Sequence, residues 1–221
     1  MSSTASNCLS GPALEPAAGG AARQLVILLH GLGADGNDLL SLAQQWQSLL
    51  PHTAFLSPHA PQPCDLAPMG FQWFSLRDFS PSAMIAGIRA AAPALRSFLE
   101  AELQARGLGF DRLALVGFSQ GTMMALQVGL RLPRPCAAIV GYSGALPDVA
   151  GLTAEIASRP KVLLVHGTAD GVVPVGMTQA AATALQALNV PVTVELRPGL
   201  DHGIDARGVA LGGGFLATAF A

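Results

Sequence analysis

Five short segments carry side chains whose types could do covalent chemistry: 30–36, 117–121, 141–144, 166–174 and 199–203. Each follows a stretch that reads as a β-strand. The sharpest is Gly117-Phe118-Ser119-Gln120-Gly121, which ends the apolar run 113–116 and opens a helix-like stretch rich in Met123, Met124, Leu126 and Val128. A serine between two glycines at such a junction sits on a tight strand-to-helix turn. Glycine on either side lets the turn approach neighbouring backbone without a Cβ in the way. The turn would push Ser119 Oγ out of the sheet edge as a nucleophile and aim a backbone N–H at whatever it attacks. The plain alternative is that Ser119 only caps a helix.

A serine hydroxyl needs a base to accept its proton, and near neutral pH that base is usually histidine. Where an elbow of this kind sits on a parallel sheet, the chain order is Ser, then Asp or Glu, then His. Only His166 and His202 follow Ser119. His166 ends a strand-like run and is expected to pack under the turn after it. His202, in Gly199-Leu200-Asp201-His202-Gly203, lies on a loop free to swing over the elbow, and is the expected base. The acid that orients it should end an intervening strand. Asp170 does so directly, Asp148 lies further from its strand, and Asp201 is chain neighbour to the histidine, so their side chains should diverge. Asp170 is therefore the expected acid. Ser143, in Gly141-Tyr142-Ser143-Gly144, lacks the closing glycine of an elbow.

A tetrahedral oxyanion needs two preorganised donors. The N–H of Gln120, at a helix N-terminus, is one. The other should come from the glycine-rich loop His30-Gly31-Leu32-Gly33, where the Leu32 N–H is the best placed. His30 is expected to be structural, bonding within its own loop.

These residues need a scaffold that presents strand ends side by side. Strands are expected at 24–29, 53–56, 113–116, 137–140, 161–165 and 192–196. Helices are expected after residue 38, from Ser80 or Ser82, after Ser119, at about 175–188 and near 206–220. Asn37 or Asp38 should cap the first, in which Leu39, Leu42, Trp46 and Leu49 share a face. Pro93 should kink or divide the second, and Gly212-Gly213-Gly214 should loosen the last. Residues 59–80 read as a proline- and aromatic-rich loop. Alternation of apolar strands with helices means a mostly parallel sheet covered on both faces, which binds ligands beyond its carboxyl ends.

The chain has 221 residues, 51% hydrophobic and 12% charged, enough for a full core. No apolar run approaches the roughly 18 residues needed to span a bilayer, so stable membrane insertion is not expected. The formal charge of −2 with no basic stripe argues against a nucleic-acid partner. Cys8, Cys64 and Cys136 show neither disulfide nor metal-ligand spacing, and the N-terminus lacks the charged start and apolar core of a signal peptide. A reducing cytoplasm is the expected location. Residues 1–10 are expected to be disordered, with 11–221 forming a single domain and 11–16 able to supply an edge strand.

Together, LLHGLGADGNDL (28–39), GFSQG (117–121), HGTADGVVP (166–174) and the DHG loop (201–203) resemble the carboxylesterase/phospholipase family of α/β-hydrolases, which includes acyl-protein thioesterases and lysophospholipases. The likeness runs from about Gly11 onward. It implies an α/β-hydrolase fold with no separate lid domain, and hydrolysis of carboxylic esters or thioesters by Ser119, Asp170 and His202 through an acyl-enzyme. Leu32 and Gln120 would line the oxyanion hole, and no metal or cofactor would be needed. It also implies that Met69 to Phe74 flank an acyl groove lined from 66–76, with Leu66, Met69 and Phe71 as contacts together with Val173, and that Trp73 touches substrate, the alternative being a core tryptophan. The family includes dimers, so a homodimer is among the implied assemblies. A short chain without an inserted lid favours small, soluble esters with short or medium acyl groups. The competing expectations are an acyl-protein thioesterase or lysophospholipase with the same triad, and a non-catalytic fold that binds a hydrophobic ligand.

Overall fold

A computed structural model describes residues 9–221. The expected disorder of residues 1–10, and Cys8 with it, therefore falls almost wholly outside the described residues. Within that stretch Leu9 is buried, and the Ser10 carbonyl accepts the His59 N–H at 2.9 Å, so this end is tied down.

Seven strands form one sheet in the order β1-β3-β2-β6-β7-β8-β9: β1 (Ala13–Leu14), β2 (Gln24–Leu29), β3 (Thr53–Leu56), β6 (Leu113–Phe118), β7 (Ala138–Tyr142), β8 (Lys161–Gly167) and β9 (Val192–Arg197). Only the edge strand β1 runs antiparallel; every other pairing is parallel. Both faces are buried, which is why the inner strands are apolar without alternation. In β2, Leu25, Ile27 and Leu29 point to one side, against α2 (Pro81–Arg106) and α3 (Gln120–Gly129). Val26 and Leu28 point to the other, against α1 (Leu40–Trp46) and α6 (Ala206–Phe220), where Trp46, Leu216 and Phe220 complete the layer. Helix α5 (Val175–Ala187) joins the first layer beside β8 and β9.

Several local expectations need correction. Neither Asn37 nor Asp38 caps α1. Asp35 folds back to accept the Asn37 backbone N–H at 2.7 Å, closing a turn before the helix, and Leu39 occupies the cap position without a side-chain bond. Because α1 stops at Trp46, Leu49 leaves the shared face and is exposed. Ser80 does cap α2, accepting the Ala83 N–H. That helix then runs unbroken through Pro93. The ring lies on the exposed side, so the Arg89 carbonyl it leaves without a partner faces water, while Ile88, Leu95 and Leu99 hold the opposite face in the core. The 59–80 segment contains a small hairpin of β4 (Gln62–Pro63) and β5 (Phe71–Gln72). A short helix, α4 (Val149–Glu155), was not foreseen: seven residues are too few for a clear period.

Nor is α6 loosened by its glycines. Gly212 packs against the Tyr142 hydroxyl and Trp46, and Gly213 lies where a Cβ would come within 2.7 Å of Trp46 Cδ1. Small residues here let the helix approach the β7 layer closely. Tyr142 Oη donates to the Gly208 carbonyl at 3.0 Å, and Trp46 Nε1 to that of Val209 at 2.9 Å.

Candidate active site

At the carboxyl end of β6 the chain reverses into α3 at Ser119, whose φ of 53° and ψ of −116° lie outside the regions comfortable for a side-chain-bearing residue. The surroundings hold it there. Its N–H donates to the Tyr142 carbonyl at 2.9 Å, and its carbonyl accepts from the N–H of Thr122 at 3.0 Å. A Cβ on Gly121 would strike the Leu29 carbonyl, and one on Gly117 would strike the Gly121 carbonyl. Backbone on both sides of the turn leaves no room for anything but glycine.

Asp170 lies in the loop after β8 with its side chain fully buried. One oxygen, Oδ1, accepts the N–H groups of Val172 and Val173 at 2.9 and 2.8 Å. The other, Oδ2, lies 2.7 Å from His202 Nδ1. Burial alone would raise the pKa of this carboxyl, but the bond from His202 and the two N–H donors outweigh it and hold the pKa below its ordinary value. Asp170 is thus a carboxylate, and the His202 proton is drawn to Nδ1, leaving Nε2 as an acceptor. The His202 ring leans on Phe118 at 4.8 Å between centroids. Asp201 has a different task. Its Oδ1 accepts the N–H of His202 at 2.8 Å and of Gly171 at 3.3 Å, stitching the histidine loop to the aspartate loop.

His166 is buried, as its place at a strand end suggested. Its Nδ1 meets Thr178 Oγ1 at 2.6 Å, and its Nε2 meets the Val173 carbonyl at 2.8 Å and Asp170 Oδ2 at 3.2 Å. It packs behind Asp170. Asp148 is bound elsewhere, caging Arg89 and Arg131 at 2.8 and 3.1 Å and capping α4 through the Gly151 N–H.

Opposite Ser119 runs the 30–34 loop. Burial pushes the His30 imidazole below its ordinary value, so it is neutral; Nδ1 donates to the Gly31 carbonyl at 2.7 Å and Nε2 accepts the Ala60 N–H at 3.0 Å. Among the described residues, the backbone N–H groups of Leu32 and Gln120 donate to no backbone carbonyl. Both residues line the same hollow as Ser119 and His202, of about 400 Å3. The Gln120 side chain is a clamp: its Oε1 accepts the Trp73 N–H and its Nε2 donates to the Phe74 carbonyl, each at 2.8 Å.

The expected groove wall is only partly in place. Val173 lines the hollow, but Trp73, Phe71, Met69 and Leu66 do not. Trp73 is fully buried, because its indole N–H needs a partner and finds the His30 carbonyl at 3.0 Å. Phe71 pairs with the 33–34 backbone and stacks on His59. Met69 and Leu66 face outward, 80% and 50% exposed. Leu76, within the expected 66–76 stretch, does line it, and the rest of the wall comes from Phe79, Met84, Met123, Val172 and Met177. Phe79 and Val172, both exposed, carry the signal that could have found it: large apolar residues in polar loops after strand ends.

Among the described residues, no group of three or more His, Cys, Asp or Glu side chains could hold a metal ion, and no helix is long and apolar enough to cross a membrane.

Comparison with known proteins finds a family model described as Phospholipase/Carboxylesterase matching residues 16–219. Acyl-protein thioesterase 1 of Schizosaccharomyces pombe is 33% identical over 168 residues, covering 72% of this chain and 74% of that protein. Esterase YpfH of Escherichia coli is 28% identical over 186 residues, covering 84% and 78%. The crystal structure of esterase PE8 superimposes with a TM-score of 0.92 at 43% identity, covering 96% of this chain and 99% of that one.

Proposed function

The chain belongs to the phospholipase/carboxylesterase family of α/β-hydrolases and is a carboxylic ester hydrolase, and we propose that Ser119, His202 and Asp170 do its chemistry on esters of short- to medium-chain acids. Ser119 Oγ attacks the carbonyl carbon while His202 Nε2 takes its proton. The Leu32 and Gln120 N–H groups receive the oxyanion, each worth roughly 2.7–4 kcal/mol of barrier in comparable sites. The imidazolium, steadied by Asp170, protonates the departing oxygen. Water, deprotonated by the same imidazole, then releases the acid from the acyl-enzyme.

The observation that carries this reading is the 2.7 Å contact between His202 and a carboxylate already saturated by two N–H donors, beside a strained serine in a shared hollow. A merely capping serine needs none of that arrangement. The apolar lining favours a hydrocarbon acyl group. Acyl thioesters fit the same machinery, and the likeness to an acyl-protein thioesterase supports them as a second substrate class. Residues 11–221 act as one domain in this reading, and the unpaired Cys64 and Cys136 suit the cytoplasm.

The test is a p-nitrophenyl ester series of increasing chain length, with fluorophosphonate labelling of wild type and Ser119→Ala. Each added methylene should raise kcat/KM about fourfold until the hollow is filled, and then stop. Labelling should vanish in the variant. Turnover by Ser119→Ala at the wild-type rate overturns the proposal, and an unlabelled wild type favours a ligand-binding role.

A further inference from the structure

The hollow that holds Ser119 adjoins a second one, of about 290 Å3, lined by Ser41, Gln45, Gly203 and Ile204. They meet at two shared residues, Asp38 and Phe118. The first is walled mainly by hydrocarbon, whereas the second adds the Ser41 hydroxyl and Gln45 amide among Leu39, Leu42 and Val209, and the Asp38 carboxylate lines both. An acyl chain belongs in the first, so the alcohol or thiol it is bonded to leaves past Asp38 toward the second.

The Asp38 carboxylate is unspent. It makes no hydrogen bond or ion pair among the described residues. Every other aspartate there has a partner: Asp35 with Asn37, Asp65 with Ser75 and Arg77, Asp78 with Ser80, Asp111 with Arg112, Asp148 with two arginines, Asp170 with His202, Asp201 with two N–H groups, and Asp205 with Arg197. Neither hollow is lined by a lysine or arginine, and His202 is the only other ionisable group in either. Arg77, next in chain to the lining residue Leu76, is turned to Asp65. The loop around Asp38 adds a second carboxylate, Asp35, and a neutral imidazole, His30. A departing group therefore passes an uncompensated negative charge.

We propose that Asp38 selects the leaving group by charge, favouring esters and thioesters of cationic alcohols and thiols over neutral ones and disfavouring anionic ones. This rests on the reading of Ser119 as nucleophile. A carboxylate and an ammonium about 4 Å apart at a solvated mouth attract by enough to change a rate about fivefold. The attraction requires no new contact with the acyl group, so it acts on one half of the substrate only.

The test uses three butyryl thioesters with thiol release as the readout: one of thiocholine, one of its neutral isostere 3,3-dimethylbutanethiol, and one of 3-mercaptopropanesulfonate. The cationic-to-neutral ratio of kcat/KM is measured for wild type and Asp38→Asn at low salt. Dividing one ratio by the other cancels intrinsic thiol reactivity and any general loss in the variant. The quotient should be about five, and the anionic-to-neutral ratio should move the opposite way. Raising NaCl to about 0.5 M should shrink the wild-type cationic preference, a readout that needs no variant. A quotient near one, or a wild-type ratio indifferent to salt, overturns the proposal while leaving the Ser119 reading intact. Failure of wild type to hydrolyse even the neutral thioester, together with all p-nitrophenyl esters, overturns both.

Discussion

Two glycines in the last turns of α6 should respond to the same substitution with opposite signs. Gly214 is exposed, with nothing within 4 Å of where a Cβ would stand. Gly214→Ala should therefore stabilise by the difference in helix propensity, about 0.5–1 kcal/mol. Gly212→Ala has that same gain but sets a methyl group against the Tyr142 hydroxyl, with Trp46 Cζ2 at 3.1 Å behind it. Tyr142 cannot simply swing away, since its Oη is bonded to the Gly208 carbonyl and the ring is wholly buried. Overpacking costs about 1–3 kcal/mol. Parting a buried hydroxyl from its carbonyl costs about 1–3 kcal/mol more. After subtracting the propensity gain, Gly212→Ala should destabilise by about 1–5 kcal/mol. For a protein of this size that lowers Tm by roughly 2–20 °C, while Gly214→Ala raises it by roughly 1–4 °C. Urea titration followed by far-UV circular dichroism, with matched slopes, gives the free energies directly. Equal effects of the same sign would refute the claim that these glycines serve packing rather than flexibility.

Asp170→Asn should keep the Val172 and Val173 bonds through the amide oxygen while presenting an N–H to His202 Nδ1. That forces the imidazole proton to Nε2, where it cannot receive the Ser119 proton, and the same change in serine proteases costs about 10⁴ in kcat; a variant within about tenfold of wild type in an ester assay would refute the orienting role. Asp205, which caps α6 by accepting the Gly208 N–H, is held below its ordinary value by Arg197 first and that N–H second, against burial. A depressed carboxyl lends stability above its unfolded value of 3.8 and loses it as pH falls through the folded value. Urea midpoints of wild type and Asp205→Asn should thus differ at pH 7 and converge as the pH falls below 3.8, and a gap that stays constant would contradict this.

The elements legible in the sequence are those whose pattern is dictated by burial on both faces. The inner strands could be read from apolar runs, and the elbow from two glycines that only backbone contact explains. Chain order and elimination single out His202 and Asp170, each in a loop after a strand, and the structure brings their side chains to 2.7 Å. What could not be read was set by partners distant in the chain. Trp73 reads as a substrate contact until His30, 43 residues away, claims its N–H. Pro93 reads as a break until the core contacts on the opposite face of α2 outweigh one missing bond. Asp35 closes a turn that leaves Asp38 uncommitted, a rivalry between neighbouring caps that composition does not reveal.

The grip of Gln120 on the Trp73 and Phe74 backbone joins two parts of the cleft mechanically. The proposed electrophilic N–H and the stem of the wall that carries Leu76 and Phe79 belong to one residue's reach. Remodelling chain-length preference from that side would disturb the reaction centre along with the fit. The facing wall, Val172 to Met177, is anchored through the Asp170 loop and α5 rather than through Gln120. Varying the hydrocarbon slot there spares the N–H of Gln120 but works on the loop whose Val172 and Val173 N–H groups hold Asp170.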